Sequence, residues 1–149
     1  MDSRPVILAL MRSYRPGYRG GGPVVSLESL IHHLWEEYDI RIVTEDRDVG
    51  DTSPYGGIEL DKWQRVNEGW VRYLPVGLAH WRALVRVLRS EEHQLLYIND
   101  LLSPRWGIWP LLLRRLGLVK RCALLIAPRG QLADGALGIK WWKKRLFLW

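Results

Sequence analysis

The chain has little cysteine and no long apolar run. Cys122 is the single cysteine among 149 residues, which excludes a framework of internal disulfides. Its setting in RCALLIAP predicts a buried apolar side chain rather than a reactive thiol. The apolar stretches PVILALM, WGIWPLLL and CALLIAP fall far short of the ~18 residues that a membrane-spanning helix needs. With no small-residue cleavage pattern near the N-terminus, we expect a cytoplasmic protein.

Familiar catalytic and metal-binding signatures are also missing. The four histidines form no HExxH pattern and have no cysteine or acid pair at ligand spacing, so no protein-held metal is predicted. No GxSxG elbow supports a Ser/His/Asp hydrolase. The glycine-rich segment matches neither GxGxxG nor a Walker A box, which argues against a dinucleotide or ATP cradle.

Charge and aromatic content narrow the partners further. The chain has 22 Lys and Arg against 16 Asp and Glu, a net charge of +6, which favours polyanions, anionic lipid head groups or phosphorylated ligands. Nine tryptophans are present, but they form no evident stacking platform, and no nucleic-acid reader motif occurs. The positive charge is the only feature that favours a nucleic-acid partner, and charge by itself is too weak a signal. We therefore predict that nucleic acid is not a partner.

The order of apolar segments predicts the fold. Five continuous apolar runs indicate buried parallel strands over residues 6–11, 40–44, 71–74, 95–98 and 123–127. Between them, apolar residues at helical spacing predict helices over 24–35, 78–88 and 103–116, with a fourth beginning near Asp134. Gly107 and Pro110 should shorten or bend the third helix. Because parallel strands need long crossovers, this alternation predicts one Rossmann-like α/β domain: a doubly wound, mostly parallel sheet with helices on both faces.

One interval breaks the alternation. Residues 45–71 are rich in Asp, Gly and Asn, and Asn67, Glu68 and Gly69 can close a hairpin whose second arm runs into the third strand. We therefore predict a hairpin insertion near 58–74.

The segment YRGGGPVV lies between the first strand and the first helix. Gly20, Gly21 and Gly22 deliver the backbone to the helix N-terminus, where Pro23 is well tolerated. Such a terminus has unpaired N–H groups and a partial positive charge, and glycine leaves room for a bulky phosphate. The three glycines are therefore predicted to bind a diphosphate. The alternative interpretation is a flexible connector that binds no ligand.

Further polar residues follow the first, fourth and fifth strands. In an open α/β sheet these loops face one crevice beyond the carboxyl ends of the strands. The candidate ligand-binding side chains there are Tyr14, Arg15, Arg19, Asn99, Asp100, Ser103 and Arg129. Hydroxyls and anionic groups, as in a sugar phosphate, would suit this set. Structural roles remain open, since Asn99, Asp100 or Ser103 can cap the next helix and Arg129 can stabilise a turn.

Three segments in this order carry a resemblance to a known family. GGGPVVSLESLIHHL follows the first strand, LLYINDLLSPRWGIWPLLLRRLG spans the fourth strand and the third helix, and PRGQLADGALGIKWWKKRLF follows the fifth strand. Together they resemble the N-terminal half of a GT-B glycosyltransferase of family 4. The resemblance covers nearly the whole chain.

The resemblance implies a retaining transferase of two Rossmann-like domains, which moves a sugar from a nucleotide-sugar donor to a hydroxyl of a glycan or lipid-linked saccharide. Residues 1–149 would be the acceptor-side domain, without the C-terminal nucleotide-sugar-binding domain and inactive alone. Gly20, Gly21 and Gly22 match the loop that meets the donor diphosphate. Arg129 and Gly130 match a Pro-Arg-Gly turn beside the acceptor, completing the acceptor set Tyr14, Arg15, Asn99, Asp100, Arg129 and Gly130.

The same resemblance limits what can be assigned. Asn99 stands where many relatives have a histidine, so no histidine-assisted role is expected. Catalytic residues are left unassigned, and the nucleotide sugar is a co-substrate, with no other cofactor expected.

The final KWWKKRLFLW combines basic and aromatic residues, which fits either an anionic membrane surface or packing against a second domain. A non-catalytic Rossmann-like module that binds a phosphorylated metabolite or an anionic surface remains the alternative function.

Overall fold

A computed structural model of the chain describes residues 4–129. In chain order the described elements are β1 (Val6–Leu10), α1 (Gly22–Leu34), β2 (Asp39–Glu45), β3 (Trp63–Val66), β4 (Gly69–Leu74), α2 (Leu78–Ser90), β5 (Leu95–Ile98), a π-helical turn (Pro104–Ile108), α3 (Trp109–Arg115) and β6 (Ala123–Ile126). The predicted α/β class is confirmed. Gly130, the helix expected near Asp134 and the basic-aromatic segment lie outside the described residues.

The six described strands form one sheet in the order β3-β4-β2-β1-β5-β6. Every neighbouring pair is parallel except β3 with β4. From β1 the chain first moves outward through β2 to β4, and then returns to the other side of β1 for β5 and β6. In doubly wound sheets this reversal opens a crevice beyond the carboxyl ends of the two strands involved, here β1 and β5.

Helices cover both faces of the sheet, as predicted. On one face α1 packs against alternate residues of β1, including Ile7 and Ala9. On the other face α2 packs against the residues between them, Leu8 and Leu10. Burying a leucine stabilises the fold by about 1.5–3 kcal/mol, so both faces need apolar side chains. This explains why the strands read as continuous apolar runs.

The antiparallel pair β3 and β4 lies within the segment where a hairpin insertion is predicted. Val66 pairs with Gly69, so Asn67 and Glu68 form the turn. Asn67 has a φ of 52°, a backbone conformation in which asparagine is enriched. Because β4 also pairs in parallel with β2, only the first arm is an addition to the parallel sheet.

The third predicted helix is divided into the π-helical turn and α3. A Cβ on Gly107 would lie 2.1 Å from the backbone oxygen of Leu101, so this position requires glycine. Trp106 is fully buried, and its Nε1 donates a hydrogen bond of 3.2 Å to Glu45 Oε1. Gly107 and Trp106 thus hold the loop after β5 against the carboxyl edge of the sheet.

Candidate functional site

A cavity of about 250 Å³ opens at the carboxyl ends of the central strands. Its walls come from the segments that follow β1, β2, β5 and β6, and they consist of Met11, Arg12, Ser13, Arg19, Gly20, Pro23, Val49, Asn99, Asp100 and Arg129. This position is the crevice that the strand order predicts for a ligand. With three arginines against one aspartate among these residues, the lining is formally positive.

The N-terminus of α1 borders the cavity. Gly20 and Pro23 line it, and Gly21, directly before the helix, has a φ of 62°. A Cβ on Gly20 would lie 2.6 Å from Cγ2 of Val24, so glycine is needed for the first turn to pack. Within residues 4–129 no side-chain hydrogen bond caps this helix. An uncapped N-terminus presents backbone N–H groups and a partial positive charge to an anion.

Asp48, in the loop after β2, anchors the segment that leads to the glycines. Its carboxylate accepts hydrogen bonds from the backbone N–H groups of Tyr18 (2.8 Å), Arg19 (3.0 Å) and Val49 (2.8 Å), and from the hydroxyl of Ser13 (2.9 Å). Burial by itself raises the pKa of Asp48, but these hydrogen bonds outweigh it and lower the pKa to about 2. An ionised carboxylate in the loop after β2 therefore holds the segment after β1 in place.

Asn99 and Arg129 form a hydrogen-bonded group with Tyr97. Arg129 Nε donates to Asn99 Oδ1 at 2.6 Å, and Arg129 Nη2 donates to the Tyr97 hydroxyl at 2.9 Å. The Tyr97 hydroxyl in turn donates to Asn99 Oδ1 at 3.2 Å. The two hydrogen bonds that Oδ1 accepts, from Arg129 and from Tyr97, identify which end of the Asn99 amide is the oxygen. Asn99 Nδ2 is buried and has no hydrogen-bond partner among the described residues.

The other two arginines of the lining have acidic neighbours. Arg19 binds the carboxylate of Asp51 and also donates to the backbone oxygen of Val49 at 3.3 Å. Arg12 Nε lies 4.0 Å from Glu45 Oε2, and its side chain is exposed. Both guanidinium groups stand at the rim with part of their hydrogen-bonding capacity unused, where they can approach an anionic ligand.

The cavity brings together only part of the predicted site. Gly20, Asn99, Asp100 and Arg129 line it, and Gly21 and Gly22 continue the chain from Gly20 into α1. Their common location was predicted from the positions of the loops after the strands. Gly130, the remaining acceptor candidate of the Pro-Arg-Gly turn, lies outside the described residues.

Tyr14 and Arg15 are not brought to the cavity, contrary to expectation. The Tyr14 side chain is 1% exposed and belongs to the core beneath α1, where burial raises the pKa of its phenol above the usual value. The Arg15 guanidinium binds the carboxylate of Glu28 on α1. Both residues follow the correct strand, but the chain turns beneath α1 after Ser13 and directs these side chains away from the crevice.

Sequence analysis missed Arg12, Ser13 and Val49 as lining residues, and Asp48 as their anchor. Arg12 and Ser13 come directly after β1, so their position at the end of a central strand was an available signal. No local pattern marks Asp48 or Val49. Their place depends on the loop after β2 folding back onto the loop after β1.

The chain has a Rossmann-like α/β fold, and a cavity whose lining includes three arginines lies at the chain reversal. Within residues 4–129 no three His, Cys, Asp or Glu side chains gather where they could hold a metal ion. None of the helices in that range has the length and apolar character needed to cross a bilayer. No protein-family model, curated protein or solved structure matches the chain.

Proposed function

We propose that the chain is the acceptor-side domain of a retaining glycosyltransferase, which transfers a sugar from a nucleotide-sugar donor to a hydroxyl of a glycan or a lipid-linked saccharide. The observation that carries the proposal is the cavity at the chain reversal. That cavity combines an uncapped helix N-terminus behind a glycine loop with the hydrogen-bonded group of Asn99 and Arg129.

The two parts of the cavity offer groups that suit two different substrates. Residues 20–22 have no side chains, which lets a diphosphate approach the backbone at the α1 N-terminus closely. Asn99, Asp100 and Arg129 offer hydrogen-bond donors and acceptors that suit the hydroxyls of an acceptor sugar. As the sugar leaves the diphosphate, negative charge grows on that group, and the α1 N-terminus stabilises it. No catalytic residue is assigned.

The proposal also fixes the partners. A second α/β domain would hold the nucleotide and the donor sugar, and the nucleotide sugar is a co-substrate rather than a cofactor. We place the protein in the cytoplasm, at the inner membrane face where the acceptor is lipid-linked. An anionic membrane surface is then a partner, and nucleic acid is not.

A second candidate is a non-catalytic module that binds a phosphorylated metabolite or an anionic surface. One observation favours it: Arg12, Arg19, Arg129 and the glycine loop all belong to this domain, so an anion could be held without a second domain.

The proposal is tested by titrating the ¹⁵N-labelled chain with UDP-glucose and GDP-mannose while recording backbone amide shifts. We expect weak binding that moves the signals of residues 20–22. A Cβ at Gly22 or at Gly56 meets no atom within 4 Å, so Gly22→Val and Gly56→Val form a pair that the fold should tolerate equally. Gly22→Val should weaken binding about tenfold by blocking the diphosphate, and Gly56→Val should not.

Unperturbed signals at residues 20–22, or unchanged affinity in Gly22→Val, would contradict the proposed donor site. Calorimetry and a turnover assay then separate the two candidates. Tight binding of a phosphorylated metabolite, with no binding of nucleotide sugars, favours the non-catalytic module. Full turnover by the 149 residues alone would contradict the role as one half of a two-domain transferase.

A further inference from the structure

We infer that the acceptor carries an oxyanion, a phosphate or a carboxylate, which binds to Arg129 and Asn99 at the wall of the cavity. The inference rests on the proposed function and adds to it the chemical class of the acceptor. It depends on the charge of Arg129 and on the unpaired amide nitrogen of Asn99, whereas the proposed function uses these residues only as a hydrogen-bonding group.

The guanidinium of Arg129 forms hydrogen bonds with uncharged groups. Its Nε binds the amide oxygen of Asn99 at 2.6 Å, and its Nη2 binds the phenol oxygen of Tyr97 at 2.9 Å. Arg15 and Arg19, in the loop after β1, bind the carboxylates of Glu28 and Asp51 instead. A guanidinium has five N–H groups, so Arg129 keeps further N–H groups for a ligand, and within residues 4–129 no carboxylate forms an ion pair with it.

Asn99 is a second, independent indication of a ligand, because its amide nitrogen lacks a hydrogen-bond acceptor. It is 3% exposed and lines the cavity, and its Nδ2 has no hydrogen-bond partner among the described residues. Exchanging the positions of the amide oxygen and nitrogen would not satisfy this side chain, because Oδ1 already accepts hydrogen bonds from Arg129 Nε and the Tyr97 hydroxyl. Buried polar groups without partners are uncommon in folded proteins and need a physical explanation. An oxygen of a bound oxyanion would pair with this amide once the neighbouring side chains give access to Nδ2, which is buried.

The rest of the cavity supports a negatively charged ligand. Arg12 and Arg19 add two guanidinium groups to the lining; Asp51 pairs with Arg19, and Glu45 lies 4.0 Å from Arg12. Glu45, the acid nearest Arg12, already accepts hydrogen bonds from Arg105 and Trp106 at 3.2 Å each. A neutral sugar would not compensate the charge of Arg129, whereas a phosphate or carboxylate compensates it and can bind the guanidinium with two oxygens.

The inference is tested with three sugars that differ in charge: glucose, glucose 6-phosphate and glucuronate. The ¹⁵N-labelled chain is titrated with each sugar while the side-chain amide signal of Asn99 is followed. We expect the two anionic sugars to bind at least about tenfold more tightly than glucose and to move that signal. Comparing glucose 6-phosphate with glucuronate identifies which oxyanion the site prefers.

Substitutions assign the effect to Arg129. Arg129→Gln should lower the affinity for the anionic sugars about tenfold, to the level of glucose. Arg129→Lys keeps the charge without the planar fork and should retain part of the preference. Arg121 is exposed and precedes β6, at the end of the sheet away from the cavity, so Arg121→Gln is the matched control and should bind like the wild type.

Failure of this inference and failure of the proposed function give different results. Equal affinity for all three sugars, with nucleotide-sugar shifts at residues 20–22 intact, overturns the inference alone. An anionic sugar that moves only residues 20–22, and binds unchanged in Arg129→Gln, also overturns it alone. If neither nucleotide sugars nor sugars bind, both fail. Anionic sugars that move the Asn99 signal without any nucleotide-sugar binding support the oxyanion site and overturn the transferase.

Discussion

Asp48 is not among the residues that line the cavity, but its buried carboxylate fixes the loops that supply several of them. Its four hydrogen bonds join Ser13, Tyr18 and Arg19, after β1, to Val49, after β2. A carboxylate is suited to this role because its two oxygens accept several hydrogen bonds at once. The neutral amide of an asparagine has only one oxygen for the same N–H groups.

Replacing this acid should therefore destabilise the protein and change its response to acid. The wild-type pKa of about 2 lies below the ordinary value of 3.8, so the carboxylate stabilises the fold fully above about pH 4. This contribution, about 2 kcal/mol, is lost as the pH falls from 4 towards 2. Urea unfolding at pH 7 should show Asp48→Asn to be less stable than the wild type by about 2 kcal/mol, with the difference shrinking near pH 2.

The matched control is Asp51→Asn, because Asp51 is more exposed and pairs with Arg19 at the rim. An exposed pair contributes at most about 1 kcal/mol. Equal losses for the two variants at pH 7 would show that Asp48 does not have the anchoring role.

At the scale of elements, α2 shows the cost of placing a titratable group inside a core. His80 is fully buried on the inner face of this helix, and its ring lies edge-on to Trp106 with centroids 4.9 Å apart. Neither ring nitrogen has a hydrogen-bond partner among the described residues. Burial lowers the pKa of His80, with Glu45 opposing the shift and Arg105 adding to it. The folded protein therefore keeps this ring neutral to a lower pH than the unfolded chain does.

The free energy of unfolding should consequently fall in mild acid. Above the ordinary pKa of 6.5 the ring is neutral in both states. Below that pH the unfolded chain takes up a proton before the folded one does, so stability is lost at up to about 1.4 kcal/mol per pH unit. His80→Phe should show a shallower loss between pH 6.5 and 5 in urea unfolding. Some slope should remain, because burial also lowers the pKa of His93.

His32→Phe is the comparison for this measurement, since His32 is on α1 with a side chain that is 72% exposed. That variant should keep the wild-type slope. If His80→Phe has the same slope as His32→Phe, His80 does not cause the pH dependence.

At the scale of the whole molecule, the sheet has a protected centre and exposed margins. β1 pairs with strands on both sides and is covered on both faces, whereas β3 pairs only with β4. The cavity lies at the carboxyl end of this centre, where Met11, Arg12 and Asn99 directly follow β1 and β5.

Hydrogen exchange should reproduce this arrangement. Amides that open only on global unfolding exchange most slowly, and those at edges exchange by local opening. We expect the slowest exchange in β1 and β2 and exchange at least about tenfold faster in β3, measured by NMR after transfer to D₂O. Equal protection of β1 and β3 would contradict the strand order.

Much of the fold could be predicted from single residues and their spacing. The continuous apolar runs predicted the parallel strands, because a strand covered on both faces needs apolar side chains on both. Gly107 and Pro110 correctly indicated a break in the third helix, although not its π-helical geometry. The first arm of the hairpin was left without a strand assignment because β3 lies at an edge, where polar side chains weaken the apolar signal.

The candidate site was less predictable, and Tyr14 shows the reason. Its position after β1 placed it near the crevice, but the direction of its side chain depends on how the chain turns beneath α1. Arg12 and Asn99 are both in the lining, yet only Asn99 was proposed. Sequence position predicts which loops meet, and it does not predict which side chains in those loops face a ligand.

The sequence alone determined the α/β class, the order of strands and helices and the glycine-rich entry to α1, because these depend on apolar periodicity and local backbone preference, which each segment carries in itself. Tertiary structure alone decided that Asp48 anchors the loop before the glycines, that Arg129 is held by Asn99 and Tyr97, and that Tyr14 is buried. Such contacts join residues about 30 or more positions apart, or depend on the path of a turn, so they exist only once the sheet has brought its loops together.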